Sequence, residues 1–208
     1  MKFKQLLHSS LILSVVLFSC QKQLELEDEP STGGNTNTLN GNYDLVNIRL
    51  QATSTFLYSE SGVDYKAVVV TDYTSKNNQG TVLIDGGKFN TNNVSYTVDT
   101  TIKGYFYVAG VLVESVDSSF TAQVPPFSDS TPYTESGTDS LTFQNATIGA
   151  PNGSGITIPN VTLGAKLSWS GNILTLKSPF SFNENQVING TSVNITYAGT
   201  QWITLQKK

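Results

Sequence analysis

The sequence predicts an all-β fold, a single antiparallel domain spanning residues 39–208 and built as a barrel or a sandwich. Three observations carry this. About ten strand-like runs recur, with turn residues every 8–12 positions. No stretch of useful length has the 3.6-residue apolar period of an amphipathic helix. The longest apolar segment, Tyr96 to Val124, reads as one β-hairpin turning at Ala109-Gly110.

Taken in order, Gly41-Asn42-Tyr43 opens the first strand. Val46, Ile48, Leu50 and Ala52 share one face of it at period two, with Tyr43 and Leu45 on the other. Phe56 to Ser59 reads as a short second strand. Tyr65 to Tyr73, with its continuous Ala67-Val68-Val69-Val70, reads as a strand buried on both faces or nearly so. A polar loop, Thr74 to Gly80, leads into Thr81-Val82-Leu83-Ile84. Asp85-Gly86-Gly87 then turns the chain back into Lys88-Phe89, Asp-Gly being a type I′ signature because both central residues of that turn take positive φ.

The Tyr96–Val124 hairpin is apolar on both faces near its turn. Phe106, Val108, Val111 and Val113 fall on one face, and Tyr105, Tyr107 and Leu112 on the other. Such a hairpin does not stand alone in water, so other strands are expected to cover it, with Phe106 and Phe120 in the core. Pro125 to Asp139 is proline-broken and polar and reads as a long loop crossing an end of the sheet. Leu141 to Ile148 resumes a strand, and Gly149 to Pro159 is a second loop. Val161, Leu163, Ala165, Leu167 and Trp169 alternate with polar residues up to a turn at Ser170-Gly171-Asn172. Leu174 and Leu176 continue the pattern, then Phe180 and Phe182, then Val193, Ile195 and Tyr197. Gly199 invites a bend or bulge, and Ile203 and Leu205 return to one face with Trp202 on the other.

Lys2 and Lys4 followed by an apolar run from Leu11 to Phe18 make residues 1–19 a secretory signal. The run is shorter than the roughly 20 apolar residues that cross a bilayer as a helix. Leu17-Phe18-Ser19-Cys20 resembles the lipobox of bacterial lipoproteins, with Phe18 departing from the commoner small or aliphatic residue. The resemblance implies cleavage before Cys20 and a lipid on its sulfur, so that Cys20 anchors the chain to a membrane. As Cys20 is the sole cysteine, no disulfide is possible within the chain. Residues 20–38 are acidic, polar and rich in Gly, Ser, Thr and Asn, the composition of a flexible tether. Lys22 followed by Glu25, Glu27, Asp28 and Glu29 is similar to the signals that send lipoproteins of Bacteroidota to the cell surface.

Removal of residues 1–19 takes away His8, the one histidine, and leaves ten Lys and Arg against sixteen Asp and Glu, a net charge near −6. That balance argues against nucleic acid as a partner. With neither histidine nor free thiol, the chain has no means of building Ser-His-Asp triads, Cys nucleophiles, His-based zinc sites or haem ligation. No metal and no cofactor are expected.

Gly41-Asn42-Tyr43 resembles the Gly-x-Trp that opens lipocalins, with Tyr for Trp. Residues 167–176 (LSWSGNILTL) and 194–208 (NITYAGTQWITLQKK) resemble the closing strands of lipocalin-like lipoproteins of Bacteroidota. The resemblance implies a lipocalin-like β-barrel, with an open sandwich as the alternative. It departs in lacking the Arg that lipocalins place late in the barrel against that Trp, for which Lys207 is a poor stand-in.

Candidate site residues are few. Tyr105, Tyr107 and Trp169 are the aromatics first expected to line a ligand cavity, with Trp202 a further candidate; plain core is the competing reading. Arg49, the one arginine, suits a ligand carboxylate or an ordinary rim ion pair. Glu114, among apolar residues, is either a pocket carboxylate or the mark of a β-bulge that turns it to solvent. Gly153-Ser154-Gly155 lacks the Lys and helix of a phosphate loop. Asp99-Thr100-Thr101, Asp129-Ser130-Thr131 and Asp139-Ser140-Leu141 resemble O-glycosylation motifs of Bacteroidota. The expected function is that of a monomeric, lipid-anchored protein of the outer membrane or cell surface, non-catalytic, whose barrel binds a small apolar or amphipathic ligand. The alternative is a surface module of sandwich type that binds a glycan or a protein. A glycosidase using carboxylates alone is the third reading.

Overall fold

The computed structural model of the chain describes residues 38–144, 162–188 and 190–208. The signal, Cys20, nearly all of the tether, the later half of the Leu141–Ile148 strand and the Gly149–Pro159 loop lie outside these residues. Within them are nine strands: β1 (Gly41–Glu60), β2 (Val63–Thr74), β3 (Lys76–Asp85), β4 (Lys88–Val108), β5 (Val111–Glu135), β6 (Ser140–Phe143), β7 (Leu163–Ser170), β8 (Ile173–Ile188) and β9 (Thr191–Lys207). All pairings are antiparallel and belong to one sheet.

β2 and β3 run in the same direction along one side of β1, where Arg49 faces Thr74 and Asp44 faces Thr81. Ser75 alone separates them. Its hydroxyl accepts from Ile48 N at 2.7 Å, and its own N–H donates to Ile48 O at 2.8 Å, so the corner stays tied to β1. β2 and β3 thus act as one bent strand between β1 and β4, and the sheet is a meander. β9 then pairs back on β1 from Tyr43↔Lys207 to Leu57↔Asn194, closing the sheet into a ring. The ring is not a regular barrel, because β6 and β7 are short. β5 meets β6 only at Tyr133–Glu135, and β8 meets β7 only at Ile173–Lys177. Beyond those positions the outer edges of β5 and β8 have no neighbour among the described residues.

Where the ring is complete its inward face is packed. Tyr43, Phe143, Leu174 and Leu205 have no measurable exposure, and Ile84 and Ala165 join them from β3 and β7. The buried residues of the other half, Ala67, Val69, Ile102, Val193 and Ile195, lie outside that core cluster. The molecule therefore has a core-bearing ring half and a distal half.

The structure corrects several expectations. Val46 does not share a face with Ile48: a bulge between Leu45 and Asn47 leaves it unpaired, and Tyr43, Leu45, Ile48 and Leu50 all point inward. Phe56–Ser59 is the end of β1, not a separate strand, because the polar Thr53-Ser54-Thr55 continues the ladders with β2 and β9. Thr74–Gly80 is mostly β3, irregular in register against β4. The turn after β3 falls within the expected Asp85-Gly86-Gly87, but its central residues are Gly86 and Gly87, both at positive φ, while Asp85 pairs with Lys88. Pro125–Asp139 is strand as far as Glu135. Pro125 and Pro126 together oppose the single residue Ser95, and at such a bulge a missing N–H breaks no ladder bond. Gly199 makes neither bend nor bulge. A Cβ there would lie 2.2 Å from Gln51 O, so glycine is needed to let β1 and β9 approach.

The central hairpin turns at Ala109-Gly110, both at positive φ, as the sequence indicates. Its tip is not covered, however. Val111, Leu112 and Val113 are 65 %, 50 % and 57 % exposed, and Phe106 and Phe120 are only partly buried. β2 is likewise buried on one face, through Ala67, Val69, Thr71 and Tyr73, with Val68 and Val70 half-exposed on the other.

Candidate functional site

Cross-strand partners share a face of a sheet, so the register tells which side chains meet. Along β1 the inward positions Ile48 and Leu50 continue as Ala52, Ser54, Phe56 and Tyr58. Phe56 stands opposite Ile195 on one side and Ala67 on the other, and Ala67 opposite Phe106. One row nearer the ring, Phe182, Tyr197, Ser54, Val69, Gly104 and Val116 follow one another across the sheet. The inward face therefore stays apolar and aromatic after the ring ends.

The rings on this face are ordered. Phe182 and Tyr197 stack at 4.7 Å and 12°, and Phe56 meets Tyr197 edge-on at 6.2 Å. Phe106 lies over Gly104, its ring 3.5 Å from where a Cβ would be. Burial, with Glu184 nearby, pushes the Tyr197 phenol up to about 12. The apolar row ends in a carboxylate on each edge strand, Glu114 on β5 and Glu184 on β8. Charges there oppose strand addition.

The candidates read from the sequence are not gathered in one place. Trp169 faces inward at the ring end, 6.3 Å from Tyr43. Tyr105 and Tyr107 lie on the outward face of the distal half, where Tyr107 opposes Lys66 and Lys66 opposes Leu57; the Lys66 ammonium sits 5.3 Å from the Tyr107 ring. Tyr43 and Leu57 are fourteen residues apart on β1, roughly 45 Å at ~3.3 Å per residue. Trp169 and the two tyrosines thus sit at opposite ends of the sheet and on opposite faces. Arg49 is also outward, 5.1 Å over the Trp202 ring and 3.7 Å from Asp72, with its side chain well exposed. The bulge expected near Glu114 is present, with Val113 as its unpaired residue. Glu114 itself is half-buried in the Phe106 row. Residue types alone point to none of the face made by Phe56, Phe182 and Tyr197, because that face depends on the register of β1 with β9.

Among the cavities lined by described residues, three bear on the candidate site. One inside the ring measures about 40 Å³ and is lined by Leu45, Phe89, Thr91 and Asp129 among others. That is room for a few waters and far below the ~300–1,000 Å³ of a small-ligand pocket. A second, about 330 Å³, lies at the ring end between Leu39, Glu135, Leu141 and Trp169. The third, about 520 Å³, opens at the far end between the β1–β2 and β8–β9 hairpins. Among the described residues no group of three His, Cys, Asp or Glu is placed to hold a metal ion.

Lys207 has a larger part than its sequence position indicates. Its ammonium lies 5.9 Å from the Tyr43 ring centre and 5.8 Å from that of Trp169, and donates to Thr38 O at 2.6 Å. Tyr43 in turn donates to Leu39 O at 2.5 Å. The entering chain is thereby fastened to the last strand.

Comparison with protein-family models, with curated proteins and with solved structures finds no match.

Proposed function

We propose that this chain is a lipid-anchored, non-catalytic lipoprotein of the outer membrane or cell surface, whose lipocalin-like barrel binds a small apolar or amphipathic molecule. The observation that carries the reading is the apolar inward face of the distal half, from Phe182 and Tyr197 across Phe56 and Val69 to Phe106 and Val116. The ring half fills the same face with its own side chains. The distal half has no described strand between β5 and β8 to do so, and its partly buried Phe56, Phe106, Val116, Phe182 and Tyr197 leave apolar surface that a ligand would cover. The lipocalin comparison gains support from Lys207, which stands over Tyr43 where lipocalins set an Arg against the Trp of their opening motif. Cys20 would attach the chain to the membrane, with residues 20–38 joining it to β1 at the ring end.

Two experiments test the reading. An environment-sensitive apolar dye should bind the full chain saturably, be displaced by fatty acids, and bind at least about tenfold more weakly after Phe182→Ser. Absence of saturable binding defeats the ligand proposal. Cys20→Ala should move the protein from the membrane to the soluble fraction; retention on membranes after a high-salt wash defeats the anchor.

A further inference from the structure

We propose that the cleft between the ends of the β1–β2 and β8–β9 hairpins is a binding site for a neutral saccharide. This site adjoins the apolar face above, since Tyr58 follows Phe56 on the inward side of β1, but its polar lining (Ser59, Asp64, Asn185 and Asn194) belongs to the opposite side of the strands. The ladder between β1 and β9 stops at Leu57↔Asn194. β1 nevertheless runs on with β2 to Glu60↔Val63, and β8 with β9 to Ile188↔Thr191. The two hairpins part from each other there, while the β1–β2 hairpin stays on β4 through Tyr65↔Val108 and through Ala109 N donating to Asp64 O at 2.8 Å, and the cleft of about 520 Å³ lies between them. That volume falls within the range of small-molecule sites.

One wall is a flat double ring: Tyr58 and Tyr65 stack at 4.8 Å and 6°. An aromatic face of this kind suits the C–H face of a pyranose, which is apolar while the ring's rim is not. The other wall carries amides. Asn194 Nδ2 donates to Asn183 Oδ1 at 2.8 Å and to Asn185 Oδ1 at 3.0 Å, and its Oδ1 accepts from Asn183 Nδ2 at 3.0 Å. This network fixes the amides and leaves Asn185 Nδ2 with no partner among the described residues. Between the walls, Ser59 donates to Asp64 Oδ1 at 2.5 Å, so Asp64 Oδ2 remains an acceptor.

The lining holds one carboxylate and no Lys or Arg, which disfavours phosphate, sulfate or uronate ligands. A fatty acyl chain would strip water from the amides and from Asp64 without replacing their hydrogen bonds, at a cost of ~1–3 kcal/mol for each group. Hydroxyls both donate and accept, and so match a donor amide, an acceptor carboxylate and a flat aromatic wall together.

The test is calorimetric titration of the full chain with cellohexaose, maltohexaose and the hexamer of N-acetylglucosamine, with polygalacturonate as the anionic comparison. At least one neutral oligomer should bind saturably. Tyr65→Ala and Asn185→Ala should each weaken it about tenfold with unchanged circular dichroism, the scale of one lost hydrogen bond or stacking contact. Leu112→Ser, on the neighbouring hairpin tip, should leave binding as it is. The proposal is overturned if none of the three binds, or if polygalacturonate binds more tightly than all of them. It is equally overturned if Phe182→Ser abolishes binding while the cleft variants do not. A chain that binds the oligomer but no apolar dye would retain this site and lose the function proposed above.

Discussion

The two halves of the sheet share strands and an apolar inward face but differ in how that face is satisfied. In the ring half β6 and β7 complete the circle, and Phe143, packed on Phe89 and Tyr133, joins the fully buried Leu174 and Leu205 in a core that leaves almost no space. In the distal half β5, β4, β2, β1, β9 and β8 lie side by side. Large rings there cover small neighbours within the same sheet, as Phe106 covers Gly104. Packing across a closed interior buries both partners fully, whereas the distal rings Phe56, Phe106, Phe182 and Tyr197 are only partly buried. Stability should therefore reside in the ring half and binding in the distal half.

The sharpest way to break that contrast is a matched pair of truncations. Phe143→Ala in the ring should cost ~3–5 kcal/mol, the range for a fully buried Phe. Phe106→Ala should cost less than half as much, because it removes a ring that is already partly in water. Denaturant unfolding of both variants checks this, and equal losses would mean that the distal half is a core in its own right.

Next in size is an alkaline loss centred on the ring. Burial pushes the Tyr96 phenol from its ordinary value near 10 to about 12, and burial raises Tyr73 beyond that. Between these values the unfolded chain releases protons that the folded chain keeps. Stability is thus complete below pH 10 and falls as pH rises towards 12. Tyr96→Phe should remove up to about 3 kcal/mol of that fall, visible as a flatter midpoint-versus-pH curve above pH 10. A curve parallel to the wild type would contradict the burial of Tyr96.

Gly199 tests the seam that the two halves share. Adding a methyl group there forces β1 and β9 apart at Gln51 and Ala52, and Gly199→Ala should destabilise by ~1–3 kcal/mol. Amide exchange should quicken along Ala52–Leu57 more than along Tyr43–Ile48. Uniform quickening would show that the seam opens as one unit. The smallest effect belongs to the hairpin tip, where Val111→Ser should change stability by no more than about 0.5 kcal/mol in thermal unfolding.

Much of the architecture was legible from residue patterns. Period-two alternation in Leu174–Lys177 and Val193–Tyr197, together with the positive-φ turn at Ala109-Gly110, depends on neighbours within a few residues, and the structure keeps all of it. What was misread needed partners distant in sequence. Val46 turns outward because a bulge against β9 shifts the phase of β1. Pro125 and Pro126 stay within a strand because Ser95 opposes both of them. The aromatic face lay hidden for the same reason, since Phe56, Phe106 and Phe182 are dispersed along the chain.

By itself the sequence determined the all-β class, the main turns and the chemical types available, since these follow from side-chain periodicity, backbone preference and composition. Tertiary structure alone decided that β2 and β3 act as one bent strand and that β9 returns to β1. It also decided that short β6 and β7 leave the distal half without a described strand between β5 and β8. Those outcomes rest on register between strands up to about 160 residues apart. Alternation of period two fixes which residues share a face but not which strand lies beside which.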